Sequence, residues 1–253
     1  NKRQDFYDKS KYISYNYYVR DDEFISARKH SQIIYKPGDE YTHSSKRFKN
    51  LLNNLCSMDN CCYLELGCFR GGTLMAALYN NKPLSAYAVD NFSFNPLDQY
   101  KDPETGKLSH YNPEGWANVR INLIENLERL GLDKSVKLFM GDWNKISPTF
   151  IKHRINIVHL DINLSTVDIL NFYDNKFDDA FVLVVSNYNE PTIREDFKTY
   201  ITSKKYAIKH EIVNYSSSNS DSEGWWNGLG VFVIQKNNGE VNEKKVSNQP
   251  NQL

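Results

Sequence analysis

The stretch of sequence that decides the fold reads Glu65-Leu66-Gly67-Cys68-Phe69-Arg70-Gly71-Gly72-Thr73. A short apolar run, Cys62–Gly67, leads into it, and a helical pattern from Gly72 to Tyr79 follows. Glycine adopts the backbone angles of a tight turn at no steric cost and lets the chain pass close to a ligand at the start of a helix. The stretch therefore predicts a buried strand, a tight turn and a helix, with a ligand near the turn.

Strand and helix patterns alternate on both sides of this turn. A helical pattern over His43–Cys56 precedes it, with apolar residues at helical spacing. The strands predicted after the first are, in order, Ala86–Val89, Val136–Met140, Ile155–Ile162, Ala180–Val185, Tyr206–Val213 and Leu229–Ile234. Fully apolar central strands that alternate with helices are typical of a mostly parallel sheet with helices on both faces. We therefore predict an α/β fold.

The flanking segments and one long connection lack this alternation. Residues 1–40 are rich in tyrosine, lysine and aspartate without a clear period, which indicates an N-terminal extension. We expect one domain over residues 41–236 and a disordered polar tail over residues 237–253. Residues 92–116 form a polar connection with three prolines, and connections of this length in a compact domain are usually functional or disordered. We interpret them as a loop or lid over the site.

Composition excludes some classes of protein. The 31 basic residues balance the 31 acidic ones, so binding to nucleic acid through phosphate neutralisation is disfavoured. No apolar run approaches the ~20 residues that cross a bilayer, and the start lacks a signal-peptide pattern. All four cysteines lie between Cys56 and Cys68, whereas a disulfide-stapled domain spreads them. We expect reduced thiols in a cytoplasmic protein, with no membrane partner.

Acidic residues follow most of the predicted strands. In an open α/β sheet, ligands bind at the carboxyl ends of the strands. Four of these ends carry Glu65, Asp90, Asp142 and Asp161. An acid in the position of Asp90 can accept both hydroxyl groups of a ribose. The glycine spacing fits the dinucleotide pattern G-x-G-x-x-G poorly, and no lysine follows as in a P-loop. A nucleotide-dependent oxidoreductase is therefore a disfavoured alternative.

The glycine stretch resembles motif I of class I S-adenosylmethionine (SAM)-dependent methyltransferases. The Arg-Gly-Gly-Thr variant, residues 70–73, resembles the macrocin O-methyltransferase group, which acts on sugars. His159-Leu160-Asp161-Ile162-Asn163-Leu164, Leu170 and Val184-Val185-Ser186-Asn187-Tyr188 are similar to that group's "His-hydrophobic-Asp-x-Asp-Leu-Tyr … Asp-Asp-Tyr" signature, and Tyr41-Thr42 to its N-terminal segment. The likeness covers roughly residues 38–235. It implies a Rossmann-like fold with a seven-stranded, mostly parallel sheet and an antiparallel last strand.

The resemblance also implies the residues that hold the cofactor. The glycines would pack against its methionyl part, Glu65 would hold the turn or the amino group, Asp90 would bind the ribose, and Asp142 with Trp143 would lie by the adenine. Asp161 would face the transferred methyl group. The full set that we expect to bind SAM is Thr42, Glu65, Gly67, Gly71, Gly72, Thr73, Asp90, Asn91, Gly141, Asp142, Trp143 and Asp161.

The sequence departs from the resemblance at the expected metal ligands. Metal-binding members of the group carry carboxylates where this chain has Asn163, Ser186 and Asn187. A hard divalent cation such as Mg²⁺ prefers several oxygen ligands that include carboxylates. Asp161 alone would make a weak site, so we expect chemistry without a metal.

Transfer to a hydroxyl group then needs a base, for which Asp161, His110 and His159 are all candidates. We expect Tyr111, Tyr188, Trp225 and Trp226 to contact the acceptor. The favoured function is transfer of a methyl group from SAM to an oxygen of a small acceptor, such as a sugar or a surface-polysaccharide building block. The alternative is a protein that binds SAM but transfers nothing. A homodimer is left open.

Overall fold

The computed structural model describes residues 44–92, 100–101, 108–109, 113–162, 164–215, 225 and 227–237. Several positions singled out above lie outside these residues: Thr42, His110, Tyr111, Asn163 and Trp226. The same holds for the N-terminal extension and for all of the tail beyond residue 237. Predictions about these segments stay predictions.

A seven-stranded sheet forms the centre of the described structure. Its strands are β1 (Cys62–Leu66), β2 (Ser85–Asp90), β3 (Lys137–Met140), β4 (Ile155–Leu160), β5 (Phe177–Ser186), β6 (Ala207–Asn214) and β7 (Leu229–Gln235). They lie in the order β3-β2-β1-β4-β5-β7-β6, and all pairs are parallel except those of β7, which runs antiparallel to both neighbours. The predicted mostly parallel sheet with an antiparallel last strand is confirmed.

Within the described residues, five α-helices connect these strands or precede them. They are α1 (Lys46–Cys56), α2 (Gly72–Leu78), α3 (Pro113–Arg129), α4 (Thr166–Tyr173) and α5 (Pro191–Lys204), with 3₁₀ turns at Pro148–Phe150 and Asp174–Lys176. The hydroxyl oxygen of Ser45 accepts a hydrogen bond from the Phe48 amide and caps the helix, so α1 begins at Lys46 and not at His43 as predicted.

The connection predicted as a loop over residues 92–116 is shorter than expected. Helix α3 begins at Pro113, and Tyr100–Lys101 pairs with Leu108–Ser109 as a two-residue antiparallel ribbon. Proline fits the first turn of a helix because its missing N–H has no partner there and its φ angle is already helical. The apolar pattern begins only at Val119 and therefore placed the start of α3 too late.

Two apolar layers cover the two faces of the sheet. Helices α1, α2 and α3 pack on one face, named here the α1 face, against alternate strand residues such as Val182 and Val184. Helices α4 and α5 pack on the other, the α4 face, against Phe181, Leu183 and Val185. Strand β5 is buried on both sides, which explains its unbroken apolar sequence. All four cysteines are free thiols in this interior.

Gly67 lets the ends of the central strands meet. Its φ angle is +87°, and an added Cβ atom would lie 2.2 Å from the carbonyl oxygen of Asp161. The amide of Gly67 donates to Val89 O at 2.9 Å, and the amide of Asp161 donates to Leu66 O at 2.8 Å. The hydrogen-bonded ladder thus continues past β1 towards both neighbouring strands, and only glycine fits between them.

We predict that Gly67→Ala lowers the free energy of unfolding by about 3 kcal/mol or more, since the methyl group meets backbone that cannot move aside. Gly131→Ala is the matched control. Gly131 also has a positive φ angle, +66°, but nothing lies within 4 Å of an added Cβ atom. We expect the control to lose about 1 kcal/mol. Urea unfolding measures both, and equal losses would contradict the steric role of Gly67.

Candidate functional site

The carboxyl edge of the sheet gathers the acids that the sequence placed there. Glu65 lies near the end of β1, Asp90 ends β2, Asp142 follows β3 and Asp161 follows β4. Between β1 and α2 the chain turns through positive φ angles at Gly67, Phe69 and Gly71. The candidate site is this edge together with the turn.

Helix α3 explains the second glycine of the turn. Gly71 has a φ angle of +81°, and an added Cβ atom would lie 2.3 Å from the Leu123 side chain. Leu123 is fully buried against the α1 face. Gly71 is therefore needed for packing against α3 as well as for the turn itself. Gly72, the next residue, is the first of α2 and is buried.

The Asp90 carboxylate holds the turn by accepting hydrogen bonds from the turn's backbone amides. Its Oδ2 atom accepts hydrogen bonds from the amides of Cys68 at 2.9 Å and Phe69 at 2.7 Å, and its Oδ1 atom accepts from the amide of Phe92 at 2.7 Å. An ionised carboxylate has about four acceptor positions, so three bonds leave about one for a ligand hydroxyl. Asp90 thus shapes the turn whether or not it also binds a ribose.

A cluster of three polar side chains lies beside the end of β3. The Asn91 side chain donates to Asp142 Oδ1 at 3.0 Å, and the Lys145 ammonium group also donates to the Asp142 carboxylate. Hydrogen bonds from Lys145 and then Asn91 hold the pKa of Asp142 below its usual value. Asp142 is therefore ionised at neutral pH and partly exposed.

Trp143 continues this side of the site on the α4 face. Its ring meets Phe172 edge to face with centroids 5.5 Å apart, and the Tyr173 hydroxyl donates to its carbonyl oxygen at 2.9 Å. Gly141 connects the residues after β3 to the end of β2, because its amide donates to Asp90 O at 2.9 Å. The structure thus brings together five of the expected cofactor contacts on this side: Asp90, Asn91, Gly141, Asp142 and Trp143.

A buried polar ladder crosses the α1 face beneath the edge. Glu65 accepts hydrogen bonds from the Tyr63 hydroxyl at 2.5 Å and the Thr73 hydroxyl at 2.7 Å. His159 lies directly opposite Glu65 on β4, with Nδ1 3.5 Å from Glu65 Oε2 and Nε2 3.0 Å from Ser186 Oγ. Every side chain of this ladder is buried. Burial, and then the neighbouring Glu65 charge, raise the pKa of Tyr63.

Asp161 lies above this ladder at the rim of the site. It is partly buried, and its Oδ1 atom accepts a hydrogen bond from Asn187 Nδ2 at 3.1 Å. Asn187 Oδ1 in turn accepts from Asn227 Nδ2 at 3.1 Å. Burial raises the pKa of Asp161 to about 6, while His159 and the Asn187 hydrogen bond oppose the shift. Asp161 therefore changes charge close to neutral pH.

The expected acceptor contacts do not all meet. Trp225 packs on the α1 face, the face that also carries His159, two residues before Asp161. Tyr188 is buried on the α4 face, where it packs against Phe197 and Phe232. Burial raises the pKa of Tyr188 to about 12. Tyr188 and Trp225 therefore pack with the apolar layers of opposite faces of the sheet.

One residue of the site, Tyr63, was not singled out from the sequence. Tyr63 donates to Glu65, and its place two residues earlier on the same strand indicates a shared face, so strand alternation could have found it. Asn227 was expected beside Trp225 and Trp226 as part of a wall of the site. Its hydrogen bond to Asn187 could not be predicted, since the partner follows another strand.

Among the residues that the structure describes, no three histidine, cysteine or acidic side chains come together as a possible metal site. Within the same residues, no helix is long and apolar enough to span a bilayer.

The chain matches no protein-family model and no curated protein. It is similar to solved structures of methyltransferases at low sequence identity. The O-methyltransferase TomG from Streptomyces achromogenes, involved in tomaymycin synthesis and solved with SAM, shares 13% identity with a TM-score of 0.53, over 88% of this chain and 95% of TomG. An O-methyltransferase from Bacillus cereus solved with SAH shares 10% identity with a TM-score of 0.53, over 89% of this chain and 96% of that one.

A protein from Pyrococcus horikoshii assigned as an RNA methyltransferase shares 12% identity with a TM-score of 0.52, over 85% of this chain and 98% of that one. The similarity to proteins of different acceptor class shows the common fold and no more. The chain has the Rossmann-like fold of class I methyltransferases.

We predict that the stability of Asp161→Asn, compared with that of wild type, is higher at neutral pH than at acidic pH. The folded state holds the Asp161 proton more tightly than the unfolded chain, with a pKa of about 6 against 3.8. This contribution to stability is complete below about pH 4 and is lost as the pH rises through 6. At pH 7.5 the variant should gain roughly 2 kcal/mol relative to its difference from wild type at pH 4.

Urea unfolding at the two pH values measures this difference. Asp133→Asn, on the exposed turn after α3, is the control for the loss of one formal charge. A difference between wild type and Asp161→Asn that does not change with pH would contradict the raised pKa.

Proposed function

We propose that this protein is a SAM-dependent methyltransferase that transfers a methyl group to an oxygen of a small acceptor, without an essential metal. The observation that carries the proposal is the acidic carboxyl edge around the glycine turn, in a fold shared with methyltransferases. TomG was solved with SAM and the Bacillus cereus protein with SAH, which supports the same cofactor here.

The residues present fit this cofactor. The positive φ angles at Gly67 and Gly71 turn the chain at the carboxyl edge, beside Asp90 and Asp161. The carboxylate of Asp90 retains about one acceptor position for a ribose hydroxyl. The Asp142 carboxylate keeps acceptor positions beyond those that Asn91 and Lys145 use, and it lies next to Trp143 on the side that we propose for the adenine. Acids at this edge also favour a ligand with a positive charge, as SAM has at its sulfur.

Bound SAM supplies a methyl group that is already activated for displacement. The chain's own residues then have two tasks, which are to hold the acceptor oxygen in line and to remove its proton. Asp161 suits the second task, because a base works best when its pKa lies near the working pH. His159 suits it less well, since it is fully buried with its ring nitrogens directed at Glu65 and Ser186. His110 stays a candidate.

The hydrogen bonds at Asp161 support chemistry without a metal. Asn187 accepts from Asn227 through Oδ1, so its amide NH₂ group is the part directed at Asp161. An NH₂ group donates a hydrogen bond and cannot coordinate a cation. Ser186, the neighbouring residue, is engaged with His159. A divalent cation would therefore find one carboxylate and no second anionic ligand among these residues.

A sugar or a surface-polysaccharide building block is the acceptor class that we propose. The resemblance of Arg70 to Thr73 and of His159 to Leu164 to the macrocin O-methyltransferase group supports it. Trp225, which is partly exposed and packs on the α1 face, is the indole that we propose to contact a sugar ring. The balanced charge of 31 against 31 favours a small acceptor over RNA. We further propose a cytoplasmic location, with a homodimer left open.

A second function is binding of SAM without transfer. The observation that favours it is the neutral pair Ser186-Asn187 at the end of β5, where the resembling group carries acids. Binding with no release of SAH from any hydroxyl acceptor would favour this reading over catalysis.

Calorimetry tests the cofactor. We expect the wild-type protein to bind SAM and not NAD, and Asp90→Ala to bind SAM at least tenfold more weakly, which is about 1.4 kcal/mol. Asp133→Ala, on an exposed turn away from the edge, is the matched control and should bind as wild type does. Circular dichroism at the same temperature shows that each variant is folded. No heat with SAM for the wild type would overturn both functions.

Chelation tests the metal. We expect the rate of SAH release, with a panel of nucleotide sugars as acceptors, to stay within about twofold after dialysis against a strong chelator. The reason is that Asn187 directs a donor, and not a ligand oxygen, at Asp161. Loss of activity that returns with Mg²⁺ would refute metal-free transfer and leave the cofactor proposal intact.

A further inference from the structure

A chain of three polar side chains joins the turn before β7 to Asp161. Asn227 donates to Asn187 at 3.1 Å, and Asn187 donates to Asp161 Oδ1 at 3.1 Å. Asn187 accepts one of these hydrogen bonds through its oxygen and donates the other through its nitrogen, so all the hydrogen bonds run from Asn227 towards Asp161. The Asn187 oxygen is occupied by Asn227, so its NH₂ group must be the part that meets the carboxylate.

The backbone around this chain is held tightly. The amide of Tyr188 donates to Gly228 O at 3.2 Å, and the amide of Asn189 donates to Asn227 O at 3.0 Å. Gly228 has a φ angle of +82°, and an added Cβ atom would lie 2.3 Å from Asn189 Oδ1. The turn before β7 and the turn after β5 are therefore joined as one unit, which fixes the two asparagine side chains relative to β4.

Asn187 and Asn227 both have positive φ angles, +57° and +49°. Asparagine adopts this conformation more readily than most residues, and glycine adopts it freely. The backbone therefore permits asparagine or glycine at both positions, and only asparagine supplies the amide. Glycine substitution consequently removes the side chain without disturbing the turn.

The hydrogen bond from Asn187 makes the two carboxylate oxygens of Asp161 inequivalent. Oδ1 accepts the hydrogen bond from Asn187. In the ranges of the chain that the structure describes, Oδ2 has no hydrogen-bond partner. The charged or titratable groups that act on this carboxylate are His159 on β4, the strand that Asp161 follows, Glu65 on β1 and Asp90 on β2. Asn187 and Asn227, named here the asparagine relay, are uncharged and act on it through the hydrogen bond to Oδ1.

We propose that Asn227 and Asn187 are positioning residues, which hold Asp161 by Oδ1 and keep Oδ2 as the atom that takes the proton of the acceptor. This inference rests on the proposed function. As the bond from sulfur to methyl breaks and the bond from the acceptor oxygen to methyl forms, the hydroxyl proton moves to Oδ2 of Asp161. The sulfonium cation becomes a neutral thioether, and charge and atoms balance.

The arrangement also selects the class of acceptor. A single carboxylate oxygen that is free to accept a hydrogen bond suits a neutral hydroxyl group, which donates one proton. It does not suit an acceptor that presents a carboxylate or phosphate group at this point, because like charges would meet at the rim. We therefore expect the reacting position to be an uncharged hydroxyl group, with any charge of the acceptor held elsewhere.

Glycine variants test the relay without a known acceptor. The protonation of Asp161 is followed by ¹³C NMR of its side-chain carboxyl carbon, assigned with Asp161→Asn. We expect Asn187→Gly to raise the midpoint of this titration by about half a unit to one unit, since a hydrogen bond to the charged form is lost. Asn227→Gly should raise it less, because it acts only through Asn187.

The double variant distinguishes a relay from two independent effects. If Asn227 acts through Asn187, then Asn187→Gly and Asn187→Gly/Asn227→Gly have the same midpoint. Asn80→Gly is the matched control, because Asn80 is exposed and also has a φ angle of +57°. It should leave the midpoint unchanged. An unchanged midpoint in Asn227→Gly, or additive shifts in the double variant, would overturn the relay.

The titration and the proposed function can fail separately. Calorimetry with SAM on the same variants shows whether the cofactor site is intact, and we expect binding within about threefold of wild type. Wild-type protein that does not bind SAM would sink the proposed function while the titration still reports on the relay. Normal SAM binding with no shift in any variant would sink the relay alone.

Discussion

The absence of a side chain at Gly67 is the constraint on which the site depends. A Cβ atom at this position would lie 2.2 Å from the carbonyl oxygen of Asp161. Because β1 lies between β2 and β4, this close approach lets hydrogen bonds continue past the strand on both sides. The turn then comes within reach of the Asp90 carboxylate, which accepts the amides of Cys68 and Phe69. The lack of a side chain at Gly67 thus sets the positions of Asp90 and Asp161.

Depth divides the polar groups of the α1 face into two layers with different properties. In the lower layer, Glu65 and His159 are fully buried and have hydrogen-bonded neighbours, as buried polar groups require. In the upper layer, Asp161 is only partly buried and has one oxygen engaged by Asn187. The lower layer is suited to stiffening the strands. The upper layer keeps a group that can gain and lose a proton near neutral pH.

Much of the fold and part of the site could be predicted from the sequence. Apolar periodicity identified every strand of the sheet, because strand burial imposes its pattern locally. The acids at the strand ends could be placed at one edge, since parallel strands share that edge. The start of α3 at Pro113 was missed because its first turn has no apolar pattern. The sequence did not indicate that Tyr188 packs on the α4 face, because its place depends on how the chain leaves β5.

The sequence by itself determined the order of strands and helices, the glycine turn and the acids beside it. Each of these follows from residues that are close together in the chain. The tertiary structure alone decided that Asn227 donates to Asn187 and Asn187 to Asp161, and that Trp225 packs on the α1 face. These contacts join β4, β5 and the turn before β7, which are distant in sequence. They depend on the order of strands in the sheet and on close packing between the two turns, which no local pattern encodes.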